Sequence, residues 1–248
     1  FKSYNFPSNT LEDKTIVITG AGSGIGREIA KCYSRLGAEL ILLSKSQDKL
    51  ETLHDELSSD NSKNILIQPI DFALSEEKDY VQIVEALSGE YSKIDGLVNN
   101  AGILGEKKSI EQYNYKTWKQ VMKVNLDAGF LLTKHLIPLL RESKSSSVIF
   151  TSSGVGKVGR PYWGSYSVSK FATEGLMQIL SEELQNTSSI RVNCINPGAV
   201  RTKMRKSAYP AENPEINPLA SEIMKPYIFL MSDFSENING HSIDAQES

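Results

Sequence analysis

The sequence predicts an α/β protein, a single-domain doubly wound parallel sheet with helices on both faces. Three observations carry that prediction. Short β-branched runs alternate with longer segments of helical periodicity along the whole chain. A glycine-rich turn stands between the first such run and the first helical segment. Glycines and polar residues gather directly after the ends of the runs, where open α/β sheets keep their ligands. No composition break, linker or internal repeat interrupts residues 1–248, so one domain is expected, with 1–10 as an N-terminal extension.

The elements follow in order. KTIVIT, residues 14–19, is short, β-branched and ends at glycine, the composition of a buried strand. Residues 20–26 (GAGSGIG) lead into REIAKCYSRLG, where Ile29, Ala30, Tyr33 and Leu36 recur at helical spacing until Gly37 closes the segment. Strands are expected at 39–43, 65–70, 94–98, 147–151 and 190–195, with helices at 47–57, 76–87 and 163–185 between them. A long helix is expected from Tyr115 to about Leu140. Its apolar face is Val121, Val124, Leu132, Leu136 and Leu139, and Pro138 closes its last turn. Residues 203–218 (KMRKSAYPAENPEINP) carry three prolines and little periodicity, which predicts a loop or broken short helix acting as a lid. A last helix at 223–231 and an edge strand at 242–244 complete the chain.

Composition removes several classes. Twenty-seven basic against 30 acidic residues leave a net charge of −3, so nucleic-acid binding has no electrostatic support. No apolar run approaches the roughly 20 residues of a membrane span, and FKSYNFPSNT has no signal or transit pattern, so a cytoplasmic protein is expected. Cys32 and Cys194 each sit in an apolar pattern and read as buried reduced thiols. Three scattered histidines and no Cys/His spacing argue against a metal site.

Two constellations carry chemistry. Strand, glycine loop and helix make a phosphate cradle, in which backbone N–H groups and the positive helix end face an anion. The spacing G-x-x-x-G-x-G at Gly20, Gly24 and Gly26 differs from the G-x-G-x-x-G dinucleotide fingerprint. The second set is Tyr166, Lys170 four residues on, and Ser153 thirteen residues before. On a helix Tyr166 and Lys170 share a face. An ammonium there favours the phenolate, so the tyrosine is expected to titrate below its ordinary value of about 10. Such a group can exchange a proton with a carbonyl or alcohol oxygen, to which Ser153 would offer a hydroxyl. Tyr-x-x-x-Lys by itself also fits an aromatic core residue beside a solvated lysine.

With TGAGSGIG, Asp71, NNAG at 99–102, the Ser153/Tyr166/Lys170 set and PGAVRT at 197–202 in that order, the chain resembles the short-chain dehydrogenase/reductase family over about residues 11–245. The wording around these motifs (TSSGVGKVGR, WGSYSVSKFATEGLMQ, INPGAVRTKMR, HSIDAQ) is similar to its bacterial YciK-like branch. The resemblance implies a Rossmann-type sheet and a nicotinamide dinucleotide held by Gly20, Ser23, Gly24, Ile25 and Gly26. It implies Asp71 at the adenine amino group, Asn100, Ala101 and Gly102 alongside the cofactor, and Pro197, Gly198 and Thr202 beside the nicotinamide. Ser153 would orient substrate, Tyr166 act as acid/base, and Lys170 also hold the nicotinamide ribose. The backbone of Asn125 would hold a water bonded to that lysine. Ser23 stands where NADP-preferring members often carry a basic residue. The carboxylate that would bind a free ribose 2′-OH is also missing: Ser44 and Lys45 stand there, and they attract a 2′-phosphate.

These features predict an NADP(H)-dependent oxidoreductase, NADP(H) favoured over NAD(H), that interconverts a small-molecule carbonyl and alcohol. The alternative is a catalytically silent nucleotide-binding redox sensor; a sugar-nucleotide epimerase is disfavoured because the chain has little room for an added substrate domain. Trp163 is the expected substrate contact beside Ser153, with Tyr162, Leu104, Val155 and the lid forming an apolar pocket. Lys157, Arg160, Arg201, Lys203, Arg205 and Lys206 are candidates for its mouth, or a solvated basic surface. Pairing through the long helix (Val121 to Leu139) and the 163–185 helix, as in the resembled family, predicts a homodimer or homotetramer.

Overall fold

The buried run TIVIT becomes β1 (Thr15–Thr19), every residue of it out of solvent. The computed structural model describes residues 4–58 and 64–246; Phe1 to Ser3 of the expected extension lie outside them. Among the described residues β1 is joined by β2 (Glu39–Ser44), β3 (Ile65–Pro69), β4 (Gly96–Asn99), β5 (Ser146–Thr151), β6 (Ile190–Asn196) and β7 (Ser242–Asp244). They form one sheet in the order β3-β2-β1-β4-β5-β6-β7, each neighbouring pair parallel. The chain winds outward from β1 to β3, then returns to β1's other edge as β4. The crevice at that reversal opens at the strands' carboxyl ends.

The pleat sorts the side chains into two cores. Ile16 and Ile18 of β1 and Leu40 and Leu42 of β2 face one side. There they meet α1 (Gly24–Arg35), α2 (Gln47–Ser58) and α8 (Lys225–Met231). Val17, Ile41 and Leu43 face the other side, under α3 (Glu77–Glu90), α5 (Ala128–Arg141) and α6 (Gly164–Leu184). Strands buried on both faces read as continuous apolar runs, which is why KTIVIT and ELILL were legible.

Two expectations change, for the long helix and for Cys32. The long helix is not uniform: α4 (Tyr115–Met122) passes into a π-helical turn at Lys123–Asp127 before α5, and Ala128 N–H reaches back to the Lys123 carbonyl. Pro138 falls in the last turn of α5, as expected. Cys32 is only partly buried, although burial and Glu28 still outweigh Arg35 and push its thiol up to about 11. Within the extension the Tyr4 ring packs 5.2 Å from both Phe229 and Phe234. Residues 203–218 do form a broken helix, α7 (Lys203–Ala208) followed by a 3₁₀ turn at Pro214–Ile216. The segment is tied to itself. Arg205 forks onto Glu212, Asn217 donates to the same carboxylate at 2.8 Å, and Arg201 donates to the carbonyls of Asn217 and Glu215. Among the described residues no helix is long and apolar enough to cross a membrane.

Candidate active site

The floor of the crevice is built by Thr19, the last residue of β1. Its hydroxyl donates to the Val98 carbonyl and accepts the N–H groups of Asn100 and Ala101, both at 2.9 Å. The Asn100 amide returns a bond to the Thr19 carbonyl at 3.2 Å. The ends of β1 and β4 are thus fastened together before the glycine loop begins. Gly20 then turns the chain at φ +69°, a left-handed value that glycine adopts without strain. Ser23 and Gly24 lie exposed at the amino end of α1, where its unpaired N–H groups and dipole favour an anion. Gly26 does not reach the cleft. A Cβ there would fall 2.4 Å from the Gly20 carbonyl oxygen and 2.6 Å from Asn100 Nδ2, so this glycine lets α1 pack against the β1 turn.

A cleft of about 570 Å³ starts at this cradle. Gly20, Ser23, Gly24 and Ile25 line one end, Ser44, Lys45 and Asp71 the side, and Asn100, Ala101 and Gly102 the floor. It continues without a break to Ser153, Trp163, Tyr166 and Lys170, with Pro197, Gly198 and Thr202 opposite. Every candidate for cofactor binding, catalysis or direct substrate contact except Gly26 and Asn125 is in this wall.

At the far end α6 carries Tyr166 and Lys170, both buried. The Ser153 hydroxyl bonds to the tyrosine, and the Trp163 ring lies 5.6 Å from it. The Lys170 ammonium is bonded elsewhere: its Nζ donates to the Thr151 carbonyl at 2.6 Å and lies 5.8 Å from the Tyr166 ring centre. The expected lowering of the phenol pKa is therefore overturned in the free protein. Burial raises it, and the Ser153 bond offsets only part. Burial also acts on Lys170, lowering its ammonium to about 8 against the weaker pull of Cys194 and Glu174. Near neutral pH the site holds a protonated phenol beside a charged lysine, the forms that donate a proton.

Asn125 lies beneath this wall, in the π turn. Its side chain is fully engaged: Oδ1 accepts from Ile103 N at 2.8 Å, and Nδ2 donates to the Ile103 carbonyl and to Ser169 Oγ. It ties the loop after β4 to α6 between Tyr166 and Lys170. Val155, Trp163 and Tyr166 form an apolar cluster with Leu104, Met204, Ala208 and Tyr209, whereas Tyr162 points away and is exposed. Of the six mouth cations only Arg201, Lys203 and Arg205 line the cleft. Arg205 is committed to Glu212, and Lys157 to Asp244 at 3.1 Å.

Several residues of the site gave no sequence signal. Thr19 read only as a strand end. Tyr113 joins Ser165 Oγ at 2.8 Å and accepts from Glu106 N, bracing the start of α6. Lys107 sits over the Trp163 and Tyr209 rings at 4.1 and 4.6 Å. Gln246 donates to the Pro197 and Ala199 carbonyls, fixing the turn at Gly198 from the far end of the chain.

A phosphate cradle at the switch point of a parallel sheet, continuous with a serine–tyrosine–lysine wall, defines an α/β oxidoreductase of the nucleotide-dependent type. The short chain dehydrogenase family model matches residues 14–213, and the chain belongs to the short-chain dehydrogenase/reductase family. Over 243 residues it is 41% identical to the oxidoreductase YciK of Escherichia coli K12, covering 98% of this chain and 96% of that one. It is 30% identical to the 3-oxoacyl-[acyl-carrier-protein] reductase FabG of Thermotoga maritima, over 94% of this chain and 96% of that one. Among solved structures, a short chain dehydrogenase from Escherichia coli CFT073 complexed with NADPH superposes with a TM-score of 0.94 at 41% identity, covering 97% of this chain and all of that one. A short chain dehydrogenase from Shigella flexneri complexed with NADP gives a TM-score of 0.94 at 40% identity, with the same coverage.

Proposed function

We propose that the protein is an NADP(H)-dependent oxidoreductase that interconverts a small-molecule carbonyl and its alcohol, with Tyr166 as the proton donor and acceptor. The observation that carries this reading is the single cleft joining the glycine cradle to Ser153, Tyr166 and Lys170. The cradle fits a dinucleotide: Gly20 and Gly24 hold positive φ angles at a helix amino end, with hydroxyl and ammonium groups at Ser44 and Lys45. A bound nicotinamide supplies or takes the hydride. Gly20, Ser23, Gly24 and Ile25 hold the pyrophosphate, Asp71 the adenine, and Asn100 to Gly102, Pro197, Gly198 and Thr202 the nicotinamide half. Ser153 orients the substrate oxygen, Tyr166 gives it a proton, and the Lys170 charge supports that transfer while its ammonium holds the ribose. Trp163 and the apolar cluster exclude water from the reacting carbon, under residues 203–218 as a lid. The silent-sensor reading is not favoured, since such a protein has no need of Ser153, Tyr166 and Lys170 together. The test is a panel of ketones, aldehydes, quinones and acyl thioesters followed by NADPH oxidation. Consumption with at least one substrate class is expected, and none would leave the sensor reading standing.

NADPH should bind more tightly than NADH. Neighbours crystallised with NADP and NADPH support binding of that cofactor. The preference is argued from Ser44 and Lys45, which line the cleft, where a hydroxyl and an ammonium attract a 2′-phosphate that a carboxylate would repel. Ser44→Asp should flatten or reverse the ratio in calorimetric titrations. Equal or tighter NADH binding by the parent protein would sink the assignment.

Self-association is proposed through α5 and α6, though not through the residues first expected. Val121, Leu132 and Leu136 are consumed by the protein's own core. Phe130, Val168, Phe171 and Ile179 remain exposed on those helices and form the apolar face that a twofold copy would cover. Light scattering should return two or four times 27.5 kDa, and a monomer at micromolar concentration would refute it.

A further inference from the structure

Where β6 ends at Asn196 the chain leaves regular structure, and Pro197, Gly198 and Val200 become part of the cleft wall. This turn is short of bonds of its own. Pro197 has no N–H, and the Gly198 N–H donates to Asn196 Oδ1 at 3.1 Å. The carbonyls of Pro197 and Ala199 both accept from one atom, Gln246 Nε2, at 2.7 and 2.8 Å. Two acceptors around that atom fix which way the amide faces, because its oxygen placed there would be repelled by both. Gly198 admits the approach: it holds φ +73°, and a Cβ on it would fall 2.7 Å from Nε2 and 3.0 Å from Cδ of Gln246. Gln246 itself is not in the cleft wall. It backs the turn two residues past the end of β7, whose Asp244 accepts from Asn196 Nδ2 at 2.7 Å.

We propose that Gln246 is a positioning residue for the nicotinamide half of the cofactor, acting through the turn at residues 197–200 and not by touching the ring. This rests on the nucleotide-binding reading above. In a trans peptide the N–H points opposite to its C=O, and the described residues contain no cis bond. Holding the Ala199 carbonyl on Gln246 therefore turns the Val200 N–H to the other side, and Val200 lines the cleft. With Nε2 gone, the carbonyls of Pro197 and Ala199 are left to water. Both peptide planes then gain freedom that binding of the nicotinamide must remove, which weakens it. The glycine cradle, Ser44 and Lys45 make no bond to Gln246, so the adenine and phosphate half has no share in this loss.

The test compares two nucleotides on two variants. Gln246→Met keeps the length of the side chain and deletes the donor. Gln246→Glu keeps its shape and, near pH 8, sets an ionised carboxylate against two carbonyl oxygens. In calorimetric titrations NADP+ affinity should fall about tenfold in Gln246→Met and further in Gln246→Glu. Adenosine 2′,5′-bisphosphate, which lacks the nicotinamide half, should bind the parent and both variants alike. Gln246 lies outside the two cores, so both variants should melt as the parent does. A general loosening of the fold would weaken both nucleotides together and would not produce this split. Parental NADP+ affinity in Gln246→Met, or an equal loss for the two nucleotides, would overturn the proposal and leave the nucleotide reading intact. A parent that binds neither nucleotide would overturn that reading and this proposal with it.

Discussion

Tyr166→Phe should lower turnover by about 10²–10⁴-fold, roughly 3–5 kcal/mol of transition-state stabilisation, and leave NADPH affinity nearly unchanged. The substitution keeps the ring, and so its packing against Trp163 and Val155, and deletes only the hydroxyl that Ser153 meets. An accompanying pH profile follows from the two titrating groups. Burial holds the phenol protonated above its ordinary range, so it remains a donor throughout the neutral region. Lys170 loses its charge as pH rises through about 8, so carbonyl reduction should decline along that limb. In the free protein a difference-absorbance titration should show no tyrosinate step below the bulk transition. A step that disappears in Tyr166→Phe would mean that the lysine overcomes burial after all. Turnover within threefold of the parent would remove Tyr166 from the chemistry.

Gly26→Ala should be the most damaging single methyl in the cradle. The added carbon meets backbone at the Gly20 carbonyl oxygen, 2.4 Å away, and the side-chain amide nitrogen of Asn100, 2.6 Å away, which is itself bonded to the Thr19 carbonyl. Either α1 lifts from β1 or the Gly20 turn shifts. Both displace the amino end of the helix from the strand ends that Thr19 fastens. Overpacking of this kind costs about 1–3 kcal/mol. NADPH binding should weaken by more than tenfold, with a measurable fall in Tm. A cofactor affinity like the parent's would show that the helix end does not need this close approach.

The contrast between Gly26 and Thr19 shows what the chain could and could not disclose. A glycine at fixed spacing after a buried strand carries its reason in its type, since nothing larger fits. Strand runs such as TIVIT and ELILL are equally plain, because burial on both faces leaves no room for polar residues. Ser153, Tyr166 and Lys170 stood out because their types and spacing match the motif of the resembled family; Tyr-x-x-x-Lys alone would have fitted a core aromatic beside a solvated lysine. Thr19, Tyr113 and Gln246 act through hydroxyl and amide bonds to partners far along the chain, and no local pattern marks them. The π turn left a faint trace. Val124, Ala128, Leu132 and Leu136 follow in four-residue steps, each drifting about 40° on a 3.6-residue helix, and a wider turn absorbs part of that drift. The phenol pKa went wrong for a different reason: spacing reports that a lysine is near, but not that its ammonium is bonded to Thr151 instead.

The polar bonds of residues 201–217 close among themselves, Arg201, Arg205, Glu212 and Asn217 answering one another, while Met204, Ala208 and Tyr209 meet the rest of the pocket through apolar and ring contacts. A segment wired in this way can be exchanged as a cassette. Grafting the corresponding stretch of a relative would bring its own internal bonds and ask only for matching bulk against Trp163 and Val155. The β1 and β4 ends have no such independence, since each bond there spans strands distant in sequence. Divergence within this architecture is therefore cheap at residues 201–217 and expensive at the ends of β1 and β4.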